Sequence, residues 1–308
     1  MLIILILAFI GGQVNAATTE DSLAAHLKNG GYYLGTSEFS KALENYNLAL
    51  QIDPHNAHAL KNIGVIYSLM NNHNKSLEYL NRALEYDSTD ASLFNSLGVT
   101  CTNLNDTLKA IDSYERAIKL DNRKAEYFIN LGSLLILTRK VLQAEKYLLK
   151  AIELDTTASE AYYLMGNSQA ALNKYGLSEK YFNKAVELEP RNPKYLYMQG
   201  VSKDKLSKFD EAEIVYKKLI EIDPDHYDGH LRLGVCQMSQ QKFADALKVF
   251  EKVVEINQQR SEGWILLAGS YLYNQMPDKA EEIYEYLLKV DTVAAQKLMN
   301  MVQKEMGN

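Results

Sequence analysis

The sequence lacks the short motifs on which most enzyme active sites are built. No Gly-rich phosphate loop, nucleophile elbow or Ser/His/Asp arrangement occurs in its 308 residues. Six histidines include the pairs His55 with His58 and His226 with His230, but neither pair has the acid, third ligand or cysteine spacing of a zinc site. The sequence therefore predicts a protein that is not an enzyme, with no catalytic residue, no metal and no cofactor.

Strong charge of one sign is also missing. The chain has 33 Lys and Arg against 39 Asp and Glu, a formal net charge of −6, and no long run of like charges. The basic footprint expected of a nucleic-acid-binding protein is therefore absent. Low-complexity segments and Pro/Gly/Ser-rich linkers are absent as well, which favours one elongated domain over several globular ones.

What the sequence does contain is a repeat of 34 residues. The segments "ALQIDPHN", "AVELEPRN" and "LIEIDPDH" begin at residues 49, 185 and 219, which are separated by multiples of 34. Eight registers of this length follow one another without insertion and end at Ala294. They begin at Leu23, Ala57, Ala91, Ala125, Ser159, Pro193, Tyr227 and Ser261. We number the residues of each register as places 1 to 34.

Small and large residues recur at fixed places. Place 8 is glycine in seven registers, from Gly30 to Gly234, and place 24 is large in all eight, for example Tyr46 and Tyr216. A glycine inside a helix costs about 1 kcal/mol relative to alanine, so its repetition predicts close approach by a bulky side chain. Apolar residues between these places recur three and four apart, as in amphipathic helices. Each register therefore predicts two helices, the second ending before the proline of place 32.

This pattern resembles the tetratricopeptide repeat, a helix-turn-helix unit of 34 residues. The matching small and large places are seen in the second register as Ile63, Gly64, Tyr67 and Ala83. The resemblance implies an all-α fold, an α-solenoid in which helix hairpins wind into a right-handed superhelix. It places eight repeats over residues 23–294 and a C-terminal capping helix over residues 295–308. Departures from the family pattern include polar residues at place 11, namely Gln169, Lys203 and Gln237.

The segment after Ala294 continues the register and should close the array. We expect a last helix from about Val293 to Met306, in which Leu298 and Met301 take places 4 and 7 and cover the final hairpin. The polar residues expected to face water are Gln296, Lys297, Gln303 and Lys304.

The first 16 residues differ in kind from the repeats. Residues 2–10 are uninterrupted apolar, and Val14 and Ala16 stand three and one residues before a possible cleavage point ahead of Ala17. This pattern predicts a secretory signal peptide over residues 1–16, a short lead-in over residues 17–22, and an exported protein, periplasmic or secreted. An uncleaved anchor is the alternative, although the apolar run is shorter than the roughly 20 residues that span a bilayer. Membrane contact is expected only if this segment is retained.

The two cysteines, Cys101 and Cys236, belong to the third and seventh registers. Stacked helices lie about 8 to 10 Å apart, so four registers of separation place the sulfurs too far apart for a disulfide. Both are interpreted as small buried apolar residues.

The family resemblance implies a groove lined by the first helices, chiefly at places 2, 5, 6, 9, 12 and 13. In registers 2 to 4 the groove residues are polar and suit hydrogen bonds to an extended backbone, as in Lys61, Asn62, Asn95 and Asn130. In registers 5 to 8 they are larger and more apolar, as in Tyr163, Asn167, Tyr197, Met198, Leu231, Arg232 and Met238. The apolar members could instead pack against neighbouring helices. Aromatic residues beside Met and Arg are, however, typical of partner sites.

One binding mode of the family is not expected. Relatives that bind the acidic carboxyl ends of cytosolic chaperones use Lys and Asn at places 5 and 9, then Asn, Lys and Arg in the next two repeats. Here Lys61 is followed by Val65 at place 9, and Glu126 stands where the basic residue of place 2 would be. The chaperone carboxylate clamp is therefore absent.

Together, these features predict a non-catalytic, exported scaffold that binds a protein or peptide partner in its concave groove, mainly through the second half. Two alternatives stay open. The chain could be a structural or assembly element at a membrane surface, or a repeat frame that supports a metal or enzyme site.

Overall fold

The computed structural model describes residues 2–306, with side chains described over residues 19–303. Within this range the chain forms helices and no strand, so the predicted all-α fold is confirmed there. The helices are α1 (Leu2–Gly35), α2 (Phe39–Ile52), α3 (Ala57–Leu69), α4 (His73–Tyr86), α5 (Ala91–Asn103), α6 (Thr107–Leu120), α7 (Ala125–Leu137), α8 (Val141–Leu154), α9 (Ser159–Ala171), α10 (Tyr175–Leu188), α11 (Pro193–Lys205), α12 (Phe209–Ile222), α13 (Tyr227–Ser239), α14 (Phe243–Ile256), α15 (Ser261–Tyr273), α16 (Pro277–Val290) and α17 (Thr292–Met306).

The helices divide into two compact units, one ending at Thr156 and the other beginning at Thr157. In the first unit, α1 packs on α2, α3 on α4, α5 on α6 and α7 on α8, and each hairpin contacts the next. The second unit stacks the hairpins α9–α10, α11–α12, α13–α14 and α15–α16 in the same way and ends with α17. Each unit is thus a stack of 34-residue hairpins, the solenoid arrangement that the repeat pattern implies.

The glycine of place 8 lies against the large residue of place 24 in each of the first seven hairpins. A Cβ atom on Gly98 would lie 2.5 Å from the ring of Tyr114, and one on Gly166 would lie 2.5 Å from the ring of Phe182. Real Cβ atoms essentially never come within 3.0 Å of such a neighbour. In these seven hairpins the two helices can therefore approach this closely at place 8 only because that residue is glycine, and the predicted reason for the repeated glycine is confirmed.

Each hairpin turns through a residue with positive φ, a feature that was not predicted from the sequence. The residues at place 15 have φ between 57° and 62° and are Ser37, Asn71, Asn105, Arg139, Asn173, Ser207, Gln241 and Gln275. This left-handed conformation favours glycine and is tolerated by asparagine. The three asparagines at this place could have indicated the positive φ, but Ser, Arg and Gln at the same place in other hairpins give no such indication.

The acidic residues that follow most of the second helices shape the turn to the next helix. The Asp53 carboxylate accepts a hydrogen bond from the backbone N–H of His55 at 3.2 Å. Glu189 accepts hydrogen bonds from the side chains of Ser159 and Asn192. These acids therefore hold the chain between helices, in agreement with their interpretation as repeated structural residues.

The three polar residues of place 11 in the second unit are buried, and Lys203 and Gln237 are paired with acidic side chains. Lys203 Nζ lies 2.8 Å from Glu179 Oε1, and the two side chains are 9% and 10% exposed. In the next hairpin, Gln237 Nε2 donates to Glu213 Oε1 at 3.4 Å, while Lys242 Nζ lies 2.7 Å from Glu213 Oε2. Both acids come from place 21 of the preceding hairpin. Lys203 and Gln237, which depart from the family pattern, are therefore hydrogen-bonded to acidic side chains of the preceding hairpin.

Helix α1 passes without a break from the apolar segment into the first hairpin. The side chains of residues 1–18, which include those of the apolar run and of the Val14–Ala16 site, lie outside the described set. The described α1 side chains that pack near α2 and α3 are Leu23, Leu27, Tyr33 and Leu34. Within residues 19–303, no helix is long and apolar enough to cross a membrane. The signal peptide and the lead-in over residues 17–22 stay predictions.

Helix α17 closes the second unit as the predicted cap. Its buried residues are Ala294, Ala295 and Leu298. Met301 Cε lies 2.9 Å from the position that a Cβ atom on Gly269 would occupy, so α17 covers α15 closely. The exposed polar residues are Gln296, Lys297 and Gln303, whereas the side chain of Lys304 lies outside the described set.

Candidate binding faces of the first helices

In the first unit, the candidate Lys61 is already bound by the neighbouring hairpin. Its Nζ donates to Asp90 Oδ2 and to Ser92 Oγ, both at 2.7 Å. Asn62 donates instead to the backbone carbonyl of His58 within α3, at 2.8 Å. Lys61 therefore joins α3 to the start of α5, while Asn62 stays on the surface of its own helix.

Asn95 is the centre of another set of hydrogen bonds on the same face. Its Nδ2 donates to Glu126 Oε1 and its Oδ1 accepts from Asn130 Nδ2, each at 2.9 Å. Asn95 is only 7% exposed. Asn95 and Asn130 thus tie α5 to α7, and a ligand would have to displace these hydrogen bonds to use either amide.

A cleft of about 250 Å³ opens on this face among α3, α5 and α7. The residues that line it are Val65, Ser68, Leu69, Asn95, Ser96, Val99, Thr100 and Glu126. Its wall therefore combines the aliphatic side chains of Val65, Leu69 and Val99 with hydroxyl groups, one amide and one carboxylate. Such a cleft can hold one apolar side chain of a partner while the polar groups meet the adjoining backbone.

In the second unit, the half-buried ring of Tyr163 on α9 is held by its neighbours. It stacks on Tyr195 with 5.1 Å between ring centroids and lies 5.8 Å from the ring of Phe182. Lys194 Nζ lies 4.0 Å from the Tyr163 centroid, a cation–π contact, and 3.1 Å from a carboxylate oxygen of Glu160. The Tyr163 ring is therefore fixed in place next to a pair of opposite charges.

Tyr197 occupies the equivalent place on α11. Its ring centroid lies 5.5 Å from His226 and 6.4 Å from Tyr216. The half-buried guanidinium of Arg232 hydrogen-bonds to Tyr197; burial lowers the pKa of Arg232, but this bond and the nearby negative charge outweigh it and raise the pKa overall. A ring and a cation are thus held side by side on this face.

The remaining candidates of the second unit differ in exposure. Leu231 is 6% exposed and belongs to the buried cluster around Phe250 and Leu267, so it is a packing residue. Met238 packs against the same cluster but is half-buried. Asn167 and Met198 are half-buried as well. Leu231 therefore has the alternative role considered from the sequence, packing against neighbouring helices, and Met238 has this role in part.

A buried polar cluster lies next to Tyr197. The Tyr216 hydroxyl and the Cys236 thiol both donate to the Asp204 carboxylate, at 2.9 Å and 2.7 Å. Burial, together with the negative charge of Asp204, raises the pKa of both groups well above the ordinary values. Both therefore stay protonated, and Cys236 acts as a hydrogen-bond donor rather than a nucleophile. Cys101 is also free and buried.

The histidine pair of the second unit has a structural role. His226 Nδ1 accepts the backbone N–H of Gly229 at 2.9 Å and so caps the N-terminus of α13. His230 Nε2 lies 2.9 Å from the backbone carbonyl of Pro224. Among the described side chains, no group of three or more His, Cys, Asp or Glu residues is arranged to hold a metal ion.

Larger recesses of the second unit lie near its C-terminal end, away from the tyrosines. A recess of about 300 Å³ between α15, α16 and α17 is lined mainly by Leu272, Tyr284, Leu298 and Val302. Another of about 420 Å³ includes Trp264 and Tyr286. Neither recess was predicted from the sequence, because most of the residues that line them come from second helices, connections between hairpins and the cap.

Three neighbours of the candidate tyrosines were also missed from the sequence. Lys194 and Glu160 stand at place 2 of successive registers, so their pairing was visible as opposite charges 34 residues apart. His226 stands at place 34, which is not a groove place in the family pattern, and no sequence signal marked its contact with Tyr197.

Family models for the tetratricopeptide repeat match most of this array. The matched residues are 57–90, 91–124 and 125–157 for one model, 159–192 for a second and 205–269 for a third. These matches cover well over half of the chain, and the four that match single repeats begin at the first residue of a 34-residue register. The chain belongs to the tetratricopeptide repeat family.

Solved structures share the fold at low sequence identity. YrrB, described as a TPR protein with an unusual peptide-binding site, is 23% identical, with a TM-score of 0.56 over 62% of this chain and all of that one. The pilF protein of Pseudomonas aeruginosa is 20% identical, with a TM-score of 0.63 over 72% of this chain and 99% of that one. A tetratricopeptide repeat protein from Parabacteroides merdae ATCC 43184 is 18% identical, with a TM-score of 0.57 over 81% and 99%. No curated protein sequence matches the chain.

Proposed function

We propose that this protein is a non-catalytic, exported scaffold that binds an extended peptide or a protein partner on the first-helix face of its second unit. The observation that carries the proposal is the pair Tyr163 and Tyr197, at equal places of α9 and α11. Each ring packs against neighbouring aromatic residues and is still half-buried rather than buried. Rings held in this way lose little conformational entropy when a partner covers them.

The groups beside the rings define what the partner should offer. Arg232 places positive charge next to Tyr197, Lys194 lies over the ring of Tyr163 while paired with Glu160, and Met198 adds an adaptable apolar surface. The face therefore suits an apolar or aromatic side chain on each ring, with backbone carbonyls or an acidic group near the cations. YrrB, which shares the fold, is described as having a peptide-binding site; the residues proposed here are those of the present chain.

The second unit should contribute more binding energy than the first. A hydrogen bond from Asn62 or Asn130 to a peptide replaces a hydrogen bond to water, so it contributes only about 0.5 to 1.5 kcal/mol to the binding free energy. Truncation of a buried interface tyrosine commonly costs about 2 kcal/mol or more. In addition, Asn130 already donates to Asn95.

Export is the second part of the proposal. It is supported by the apolar run over residues 2–10 and the small residues that precede Ala17. Cleavage before Ala17 would leave Leu23 and the other described α1 packing residues in place. Mass spectrometry of the protein from its native cells should find Ala17 at the amino terminus, and a mature chain that begins at Met1 would contradict export by cleavage.

The proposed partner binding is tested by phage display: peptides that bind the purified protein are selected from a random library. Peptides enriched on the wild-type chain should not be enriched on the Tyr163→Ala/Tyr197→Ala variant. Tyr86, an exposed tyrosine of α4, provides the matched control, because Tyr86→Ala should leave the selection unchanged. Circular dichroism checks that each variant is folded. If no peptide is enriched, or if the double variant selects the same peptides, the proposal fails.

A further inference from the structure

The first unit has an exposed apolar edge that peptide binding does not use. In a stack of hairpins, the turns within hairpins lie along one edge and the connections between hairpins along the opposite edge. We call residues 35–42, 69–76, 103–110 and 137–144 the turn edge, since they surround the four turns that follow α1, α3, α5 and α7. Five large apolar side chains there are 49–81% exposed, namely Leu69, Met70, Leu108, Leu137 and Leu142.

Two of these leucines are the most informative. Leu108 and Leu142 are the second residues of α6 and α8, at equal places in neighbouring hairpins, and they are 81% and 69% exposed. They therefore stand side by side along the edge with little protein around them. Leucines so exposed gain little stabilisation from burial, and a row of exposed apolar side chains usually marks an interaction surface.

The turn edge is also basic, although the whole protein carries a net charge of −6. Its basic residues are Lys41, Lys75, Lys109, Arg139 and Lys140. Its only acids are Glu38 and Asp106, which pair with Lys41 and Lys109 at 2.6 Å and 3.1 Å. The edge thus keeps uncompensated positive charge beside the exposed leucines.

The opposite edge of the same unit has the reverse charge. Residues 51–58, 85–92 and 119–126 form the connections between its hairpins. Their acids are Asp53, Glu85, Asp87, Asp90, Asp121 and Glu126, and their basic residues are Lys119, Arg123 and Lys124. An anionic surface would therefore attract the turn edge and repel the other edge, which orients the unit before any apolar contact forms.

We propose that the turn edge of the first unit docks on the surface of a bilayer that contains anionic lipid. The leucines reach the boundary between headgroups and acyl chains, and Lys75, Arg139 and Lys140 lie among the headgroup phosphates. Apolar and basic side chains on one edge are the combination that such interfacial binding requires. This inference goes beyond the proposed function, because it involves neither the tyrosines of the second unit nor the apolar amino-terminal segment.

The test is cosedimentation of the full chain with vesicles of phosphatidylcholine and phosphatidylglycerol in a 7:3 ratio, compared with phosphatidylcholine alone. The wild-type chain should bind the anionic vesicles and release them at high salt. Leu108→Ser/Leu142→Ser and, separately, Arg139→Gln/Lys140→Gln should each lower the partition coefficient about tenfold.

The opposite edge supplies matched controls for both variants. Tyr86 and Leu120 are 46% and 45% exposed at equal places of α4 and α6, so Tyr86→Ser/Leu120→Ser removes similar apolar groups. Arg123→Gln/Lys124→Gln removes an equal charge, and both controls should bind as the wild type does. Circular dichroism checks folding. The proposal is overturned if the control variants lose vesicle binding or if the wild-type chain binds no vesicles at all. It is also overturned if the turn-edge variants still bind, because binding would then belong to the amino-terminal segment. None of these outcomes affects the proposed peptide site.

Discussion

Gly200 and Tyr216 are in such close contact that a Cβ atom on Gly200 would lie 2.4 Å from Cε1 of the tyrosine ring. The ring cannot move aside easily, because its hydroxyl donates to Asp204 at 2.9 Å. The equivalent contact recurs in seven successive hairpins and sets the distance between the two helices of each. The packing of these seven hairpins therefore depends on a residue that is otherwise unfavourable in a helix.

Gly200→Ala should destabilise the protein, since the added methyl group would displace the fixed ring of Tyr216. Overpacking of this kind costs about 1 to 3 kcal/mol, part of which the better helix propensity of alanine offsets. We expect a net decrease in the free energy of unfolding, measured by urea denaturation. Gly176→Ala is the control, because no atom lies within 4 Å of its Cβ position. It should be neutral or stabilising, and equal effects of the two substitutions would refute the contact as the reason for glycine.

Gln241→Gly should stabilise the second unit. Gln241 has φ of 60° in the turn between α13 and α14, where a residue with a Cβ atom is strained by about 1 kcal/mol or more. Glycine removes this strain but loses more entropy on folding, so the expected gain is about 0.5 kcal/mol. Gln241→Ala keeps the Cβ atom and should show no gain. The prediction is checked by the urea midpoint, and it is wrong if the alanine variant is the more stable one.

The sequence was sufficient to predict the hairpins, because each helix carries its own pattern. The 34-residue spacing, the glycine of place 8 and the large residue of place 24 are local or regular features, and the bounds of α3 to α16 follow them. The positive φ of place 15 was not predicted, since Arg139 or Gln241 gives no sign of it. Buried pairs such as Glu179 with Lys203 were also missed, because the polar residue of place 11 looked like an isolated departure from the pattern.

Glu213 should make stability depend on pH in the acidic range. Burial tends to raise its pKa, but hydrogen bonds from Lys217, Lys242 and Gln237 outweigh burial and lower the pKa to about 2. Because the folded-state pKa lies below the unfolded value, the stabilisation is fully present above about pH 4.5 and is lost as the pH falls toward about 2. The shift corresponds to a contribution on the order of 3 kcal/mol.

Glu213→Gln tests this contribution by urea denaturation at pH 7 and at pH 3. The variant should be less stable than the wild type at pH 7, and the difference should shrink at pH 3, where the wild-type carboxylate loses part of its advantage. Glu221→Gln changes an exposed glutamate on the same helix and should leave the free energy of unfolding unchanged at both pH 7 and pH 3. A difference between wild type and Glu213→Gln that is the same at both pH values would contradict the assignment.

Leu298→Ala should loosen the cap formed by α17. Leu298 is 2% exposed and packs in the cluster that includes Leu267, Ala280 and Leu287. Truncation of a buried leucine costs about 2 to 5 kcal/mol, so the melting temperature should fall by several degrees. Val293→Ala, at a position 65% exposed, is the matched control and should have little effect. Deletion of residues 295–308 should produce a larger loss or aggregation, and unchanged unfolding would exclude a capping role.

The candidate site was predictable only as far as the face of the first helices. Place number and residue type identified Tyr163, Tyr197 and Arg232 as candidates, but side-chain partners depend on contacts between hairpins. For this reason the sequence did not show that Asn95 is buried between Glu126 and Asn130, nor that Leu231 belongs to the core.

The central claim is that a partner is held by the tyrosines of the second unit, and it is tested most directly by isothermal titration calorimetry. The titrant is the peptide most enriched by the phage selection, and the proteins are wild type, Tyr197→Ala, Tyr86→Ala and Asn62→Ala. We predict that Tyr197→Ala weakens binding about thirtyfold, as expected for about 2 kcal/mol, while Tyr86→Ala binds as the wild type does and Asn62→Ala loses at most about tenfold. Full affinity in Tyr197→Ala together with loss of binding in Asn62→Ala would contradict the account and place the site on the first unit.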